Sequence, residues 1–161
     1  MDHSTFLKKY AIQYLSKYNS TKKNLERILK NKIKRINNVQ KNEKLVLFKS
    51  IFKIIEELES KQIINDKRYA DTKILSFASQ GKSKNFITSY LLHKGIEKSL
   101  INNTFKDFEL DNPDWEYESA KIFVRKKILG LNIEKNKEKN LAKMSRAGFN
   151  YEISKKMLGL D

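Results

Sequence analysis

Five carboxylates stand within ten residues of one another, Glu109, Asp111, Asp114, Glu116 and Glu118. Such a density raises divalent-cation binding or paired acid–base catalysis as the chemistry to weigh. Neither histidine, His3 or His93, lies near them, and the chain has no cysteine, so imidazole and thiolate ligands are lacking and disulfides are ruled out. The acids surround Pro113. Asn112 suits an N-cap, Pro113 the first helical position, and carboxylates in a first turn are favoured by the helix dipole. The cluster therefore reads as the start of a helix, with no metal site. The run Gly81, Lys82, Ser83 invites comparison with a phosphate-binding loop, but that motif needs an earlier glycine where Ser76 stands, and no strand precedes it. Gly81 reads instead as a helix C′ residue and Ser83 as the next N-cap. No nucleophile–base pair is apparent. The residues argue against an enzyme, and no cofactor is implied.

Binding is the better prospect. The net charge is +15 with a pI near 9.8, a balance that points to a polyanion, most often nucleic acid. The signal is diluted by composition, since 29 of the 34 basic residues are Lys and only five are Arg, the bias an AT-rich genome produces by itself. Position says more. Between Lys22 and Arg35 seven basic residues face one Glu, and Lys23, Arg27, Lys30 and Lys34 share a helical stripe about 60° wide. Arg125, Lys126 and Lys127 form the densest trio, and a run of three cannot all face a core. Arg146 lies near a later glycine. Arg68, Tyr69 and Lys73 follow an acidic turn, Lys82 and Lys84 flank the turn at Gly81–Ser83, and Lys94 precedes Gly95. These are the candidate partner- or DNA-binding residues. Trp115, Tyr117 and Phe123 read as packing residues rather than base-stacking ones.

The elements that must carry these residues are helices. Apolar residues recur at three and four, and one proline and five glycines leave little punctuation. The spacing predicts helices over about 4–18, 22–36, 44–60, 66–79, 84–94 and 97–108, another after Pro113, and two around Gly148. "LHKGIEKSLI" at Leu92–Ile101 returns fifty-three residues later as "SRAGFNYEIS" at Ser145–Ser154, aligning Gly95 with Gly148, Ile96 with Phe149 and Leu100 with Ile153. Each is helix, tight glycine turn, helix. A third copy has Leu25, Ile28 and Leu29 in the short helix and Lys32 where the glycine is expected. The expected architecture is all-α, three tandem three-helix repeats spanning 1–64, 65–110 and 111–161, helix-turn-helix-like, elongated and curved, with neighbours sharing apolar faces. No apolar run approaches the ~20 residues that span a bilayer, and the first residues lack a signal-peptide core. A cytoplasmic monomer without membrane contact is expected.

In three places the chain resembles the RecX family, regulators of the RecA recombinase. "QIINDKRYAD" (Gln62–Asp71) looks like the junction of the first two repeats, with Asp66, Tyr69 and Ala70 in place. "SQGKSKNFITSYLLHKGIEKSLI" looks like the second repeat, and "LAKMSRAGFNYEISKKML" like the C-terminal one. Gln62 and Lys32 stand where the family has glycines, and the segment around Asn37–Glu43 lengthens the first repeat. The resemblance implies a protein that binds the RecA–DNA filament and opposes its extension, ATP hydrolysis and strand exchange. Its partners would be that filament and single-stranded or filament-bound DNA. Competing readings stay open at this point: a non-specific DNA-binding helical repeat acting without recombinase, and a generic interaction scaffold. Base reading is poorly served, because the post-glycine helices begin "EKSLINN" and "NYEISKK".

Overall fold

A computed structural model describes residues 3–37, 39–128 and 136–160, with the side chains of residues 3 and 4 excepted. Among these the chain forms nine helices and no strand: α1 (His3–Lys17), α2 (Lys22–Lys34), α3 (Lys41–Ser60), α4 (Asp66–Ser79), α5 (Lys84–His93), α6 (Lys98–Asp111), α7 (Trp115–Lys127), α8 (Lys137–Arg146) and α9 (Tyr151–Met157). The fold is all-α. Asn38, and part of the polar segment before α8, lie outside the described residues.

The expected start of the helix after Pro113 is corrected. Helix α6 runs on to Asp111, so the Asn112 N–H closes it on the Phe108 carbonyl (3.0 Å), and α7 starts at Trp115 with Asp114 as its N-cap. Asn112 is a C-cap, and Pro113 belongs to the turn. Lys32, at the place of the expected glycine, lies inside α2, which runs to Lys34 in keeping with the helix expected over 22–36. Leu75 of α4 is 61% exposed.

Two compact units result, Met1–Tyr69 with Lys94–Ile96, and Ala70–His93 with Glu97–Asp161. The first is built on Leu7 and Ala11 of α1, Leu25, Leu29 and Ile33 of α2, and Leu47, Ile51, Ile54 and Leu58 of α3, joined by Ile64. Their spacings of three and four place each set on one helix face, and burying each Leu or Ile contributes about 1.5–3 kcal/mol. The second unit buries Ala120, Ile128, Met144, Phe149 and Leu158 together, with Phe105 stacked on Trp115 at 5.7 Å.

One arrangement recurs in both units. In the first, Thr21 caps α2 by accepting from the Asn24 N–H (3.2 Å), and its hydroxyl donates to the carbonyl of Lys94, just before Gly95 (2.6 Å). The Lys22 N–H donates to Asp66 Oδ1 (2.8 Å), while its ammonium meets Glu59 (2.8 Å). In the second unit Ser83 caps α5 through the Phe86 N–H (3.1 Å) and donates to the carbonyl of Ala147, just before Gly148 (2.7 Å). The Lys84 N–H donates to Glu116 Oε1 (2.9 Å), and its ammonium meets Glu109 (2.6 Å). Each clasp thus satisfies otherwise orphaned helix N–H groups and ties a helix start to a distant glycine turn.

The glycines are required by this closeness as well as by backbone. Gly95 has φ +80°, and a Cβ there would stand 2.4 Å from Cβ of Lys23. Gly148 has φ +90°, and its Cβ would meet Ser83 Oγ at 2.5 Å. Lys32 has no clasp closing on it, and the helix simply continues. Gln62 departs in the other direction. It takes φ +55° at the end of α3, with the Ile63 N–H returning to the Leu58 carbonyl (2.9 Å) and the Gln62 N–H to Glu59 (2.8 Å). That is the Schellman geometry glycine usually serves.

Candidate partner-binding surface

On α2 the stripe is exposed as expected, yet most of its charge is already engaged. Glu26 takes both Lys23 (3.0 Å) and Lys30, and the two ammoniums, Lys30 first, hold its carboxyl below the usual range. Lys22 meets Glu59, and Lys32 lies over the rings of Tyr10 (4.9 Å) and Phe6 (5.6 Å). Arg27 donates to the Asn24 side chain (2.9 Å). Lys34 and its neighbour Arg35 project from the helix end, exposed.

The candidates at the α3–α4 junction divide. Arg68 is exposed, but its guanidinium donates to the Gln62 carbonyl (3.0 Å) and so helps hold the strained turn. Tyr69 is only 4% exposed. Its ring belongs to the core, which removes it from any contact surface. Lys73 is half-buried, over the rings of Phe77 (5.8 Å) and Tyr90 (6.0 Å). Lys94 is half-buried beside its clasped carbonyl.

The second unit gathers the rest. Arg125, Lys126 and Lys127 are all exposed on the last turn of α7, and Arg146 on the last turn of α8. Lys126 Nζ lies 3.4 Å from the Gln80 carbonyl, which sets it over the α4–α5 turn. Lys143 Nζ approaches the Lys127 carbonyl at 3.3 Å, so the ends of α7 and α8 are neighbours. The clasp carries Lys82 and Arg146 to the same place, because Ser83 bonds to Ala147. Lys82 Nζ lies 4.7 Å over Phe86. Lys126 and the neighbours Lys82 and Arg146 of the Ser83–Ala147 bond are thus brought near the α4–α5 turn, with Arg125 and Lys127 exposed on the same helix end as Lys126, and a carbonyl engages at most one of an ammonium's three N–H donors. Lys84 is the exception, half-buried between Glu109 and the Phe105 ring at 5.1 Å. Lys143 went unremarked in the sequence, although it lies one turn before Arg146 and shares its face.

The acidic run is dispersed among structural tasks. Glu109 pairs with Lys84 and accepts from Trp115 Nε1 (3.4 Å), Glu116 caps α5, and Glu118 pairs with Lys121 (2.7 Å). Among the described residues no three or more His, Cys, Asp or Glu side chains are grouped as metal ligands would be, and no helix is long and apolar enough to cross a membrane. Burial pushes the Glu116 carboxyl upward, opposed in part by the Lys84 N–H; Asp66 is raised in the same way, against the Lys22 N–H.

Short capped helices locked to glycine turns, with exposed cations on helix ends, define an all-helical class. No family model matches the chain. It is 29% identical over 160 residues to Regulatory protein RecX of Myxococcus xanthus (strain DK1622), covering 96% of this chain and 84% of that one. It is 30% identical over 112 residues to Regulatory protein RecX of Clostridioides difficile (strain 630), covering 67% and 51%. Two crystal structures share its fold at a TM-score of 0.74. One is a regulatory protein RecX, at 19% identity over 98% of this chain and 73% of that one. The other is RecX from Lactobacillus salivarius, at 21% over 98% and 96%. The chain belongs to the RecX family.

Proposed function

We propose that this protein regulates the RecA recombinase by binding the RecA–DNA filament and inhibiting its extension, ATP hydrolysis and strand exchange, thereby modulating DNA repair and recombination. The observation that carries this reading is the likeness to RecX regulatory proteins along nearly the whole chain. The basic region of the second unit supports it, for a filament surface of phosphates and acidic side chains attracts such a patch over long range. Within that reading the chain consists of three three-helix repeats, 1–64, 65–110 and 111–161, works in the cytoplasm, enters as a single chain, and lowers another protein's ATP hydrolysis without catalysing a reaction. Arg125, Lys126, Lys127, Lys82 and Arg146 carry the contact, with Lys34 and Arg27 in support.

The test is single-stranded-DNA-dependent ATP hydrolysis by RecA, titrated with this protein at physiological salt. The expected result is inhibition well below one molecule per recombinase subunit. Inhibition only once the DNA itself is saturated assigns the basic surface to non-specific DNA binding. No effect at equimolar protein overturns the proposal.

A further inference from the structure

On a molecule of net charge +15, one concavity of the second unit is apolar and rimmed by acid. It is an open groove of about 360 Å³ between α4, the α6–α7 turn and α7. Phe108, Trp115 and Ile122 line it, Leu75 forms one wall at 61% exposure, and Asp114 and Glu118 stand at the rim, Glu118 already paired with Lys121 just outside the lining (2.7 Å). The charge at the rim selects against acidic partners and favours an apolar side chain flanked by cations.

The first unit displays such a segment. On α3, Leu45 is 52% exposed, Val46 67% and Phe52 68%. Leu45 and Phe52 lie seven residues apart, hence two turns and roughly 10 Å along the helix, on nearly the same face. Exposed Lys49 and Lys53 lie beside them on the same flank, and Glu56, one turn beyond Phe52, is the carboxylate on that face. Neither these apolar side chains nor Lys49 and Lys53 have a described partner.

We propose that the groove of one molecule receives the Leu45–Phe52 face of a second copy, Phe52 entering beside Leu75 and Trp115 while Lys49 meets Asp114 and Lys53 shares Glu118 with Lys121. The two surfaces differ, so the contact is heterologous. Copies add head to tail and leave a free face at each end. One helix against one groove is a small interface, and net positive charge opposes it, so single chains prevail when dilute. Association appears at high local concentration and at ionic strength where the Debye length is about 8 Å. The inference does not depend on the recombinase reading, and its test contains no recombinase.

Sedimentation of the purified chain at about 0.15 M salt, from micromolar to submillimolar concentration, should show an average mass that climbs without a plateau at the dimer. Phe52→Glu and Leu75→Glu, both at exposed positions, should each remain monomeric with unchanged circular dichroism. An equimolar mixture of the two should associate and stop at the dimer, since each retains one working face. Lys49→Glu should weaken association, and mixing it with Asp114→Lys should restore it. A wild type that stays monomeric throughout, a closed dimer indifferent to both substitutions, or a mixture that fails to pair would each overturn the proposal.

Discussion

Gln62, Gly148 and Asn140 show how much a single residue decides. Gln62 holds φ +55° where a Cβ is disfavoured, at a cost of about 1–2 kcal/mol. Gln62→Gly is therefore expected to stabilise the protein by about 1 kcal/mol, raising the melting temperature by roughly 2–4 °C for a chain of this size. Gly148→Ala should do the reverse and more, because the left-handed backbone and the meeting with Ser83 Oγ act together; a loss of at least about 2 kcal/mol is expected in urea denaturation. Asn140 is fully buried in α8 with neither its amide nitrogen nor its oxygen bonded among the described residues. Aligning Gly148 with Gly95 sets Asn140 at the position of Ile87, a core residue. Asn140→Leu keeps the shape and removes the orphaned polar atoms, for an expected gain of about 1–3 kcal/mol.

At the scale of elements the clasp governs. Ser83→Ala removes both the α5 cap and the bond to Ala147, for an expected loss of about 1–2 kcal/mol, while Ser83→Thr should restore most of it. Its carboxylates also give a pH dependence of unusual sign. Burial raises Asp66 above 3.8 and Glu116 above 4.5. The folded state thus holds these protons more tightly than the unfolded chain, and their contribution to stability falls as pH climbs from the unfolded values through the raised ones. Glu57 acts oppositely. Lys61 and then Lys8 hold it down to about 2, so its contribution is complete above the unfolded value of 4.5 and is lost as pH falls from there toward 2. Denaturation midpoints between about pH 2 and pH 7 should show it. Glu57→Gln flattens the acid limb. Asp66→Asn and Glu116→Gln, whose amide oxygens still accept the helix N–H, remove the decline above the unfolded carboxylate range.

For the whole molecule, charge and its placement set what it can bind. Setting Arg125, Lys126 and Lys127 to Ala removes three exposed cations from a helix end without touching a buried side chain. Melting should be nearly unchanged, while on the proposed function the inhibition of RecA ATP hydrolysis should weaken. If phosphates are the contact, the slope of log affinity against log salt should fall by up to about three, one per cation. The equivalent change at Lys23 and Lys30 should matter less, since Glu26 already holds both.

The sequence alone determined the helical class, most helix bounds and the places of the glycine turns, because apolar periodicity and capping preferences act within one or two turns of chain. It also indicated that Arg125, Lys126 and Lys127 could not all face a core, and the structure exposes all three. It could not place Asn112, whose cap depended on how far α6 would run, nor bury Tyr69, nor pair the α2 lysines with Glu26 and Glu59. Only the tertiary structure decided why Gly95 and Gly148 are glycines while Lys32 is free to differ. The turn needs a missing Cβ where another helix start, Lys23 or Ser83, closes upon it, and such contacts join residues more than sixty positions apart that no local pattern connects.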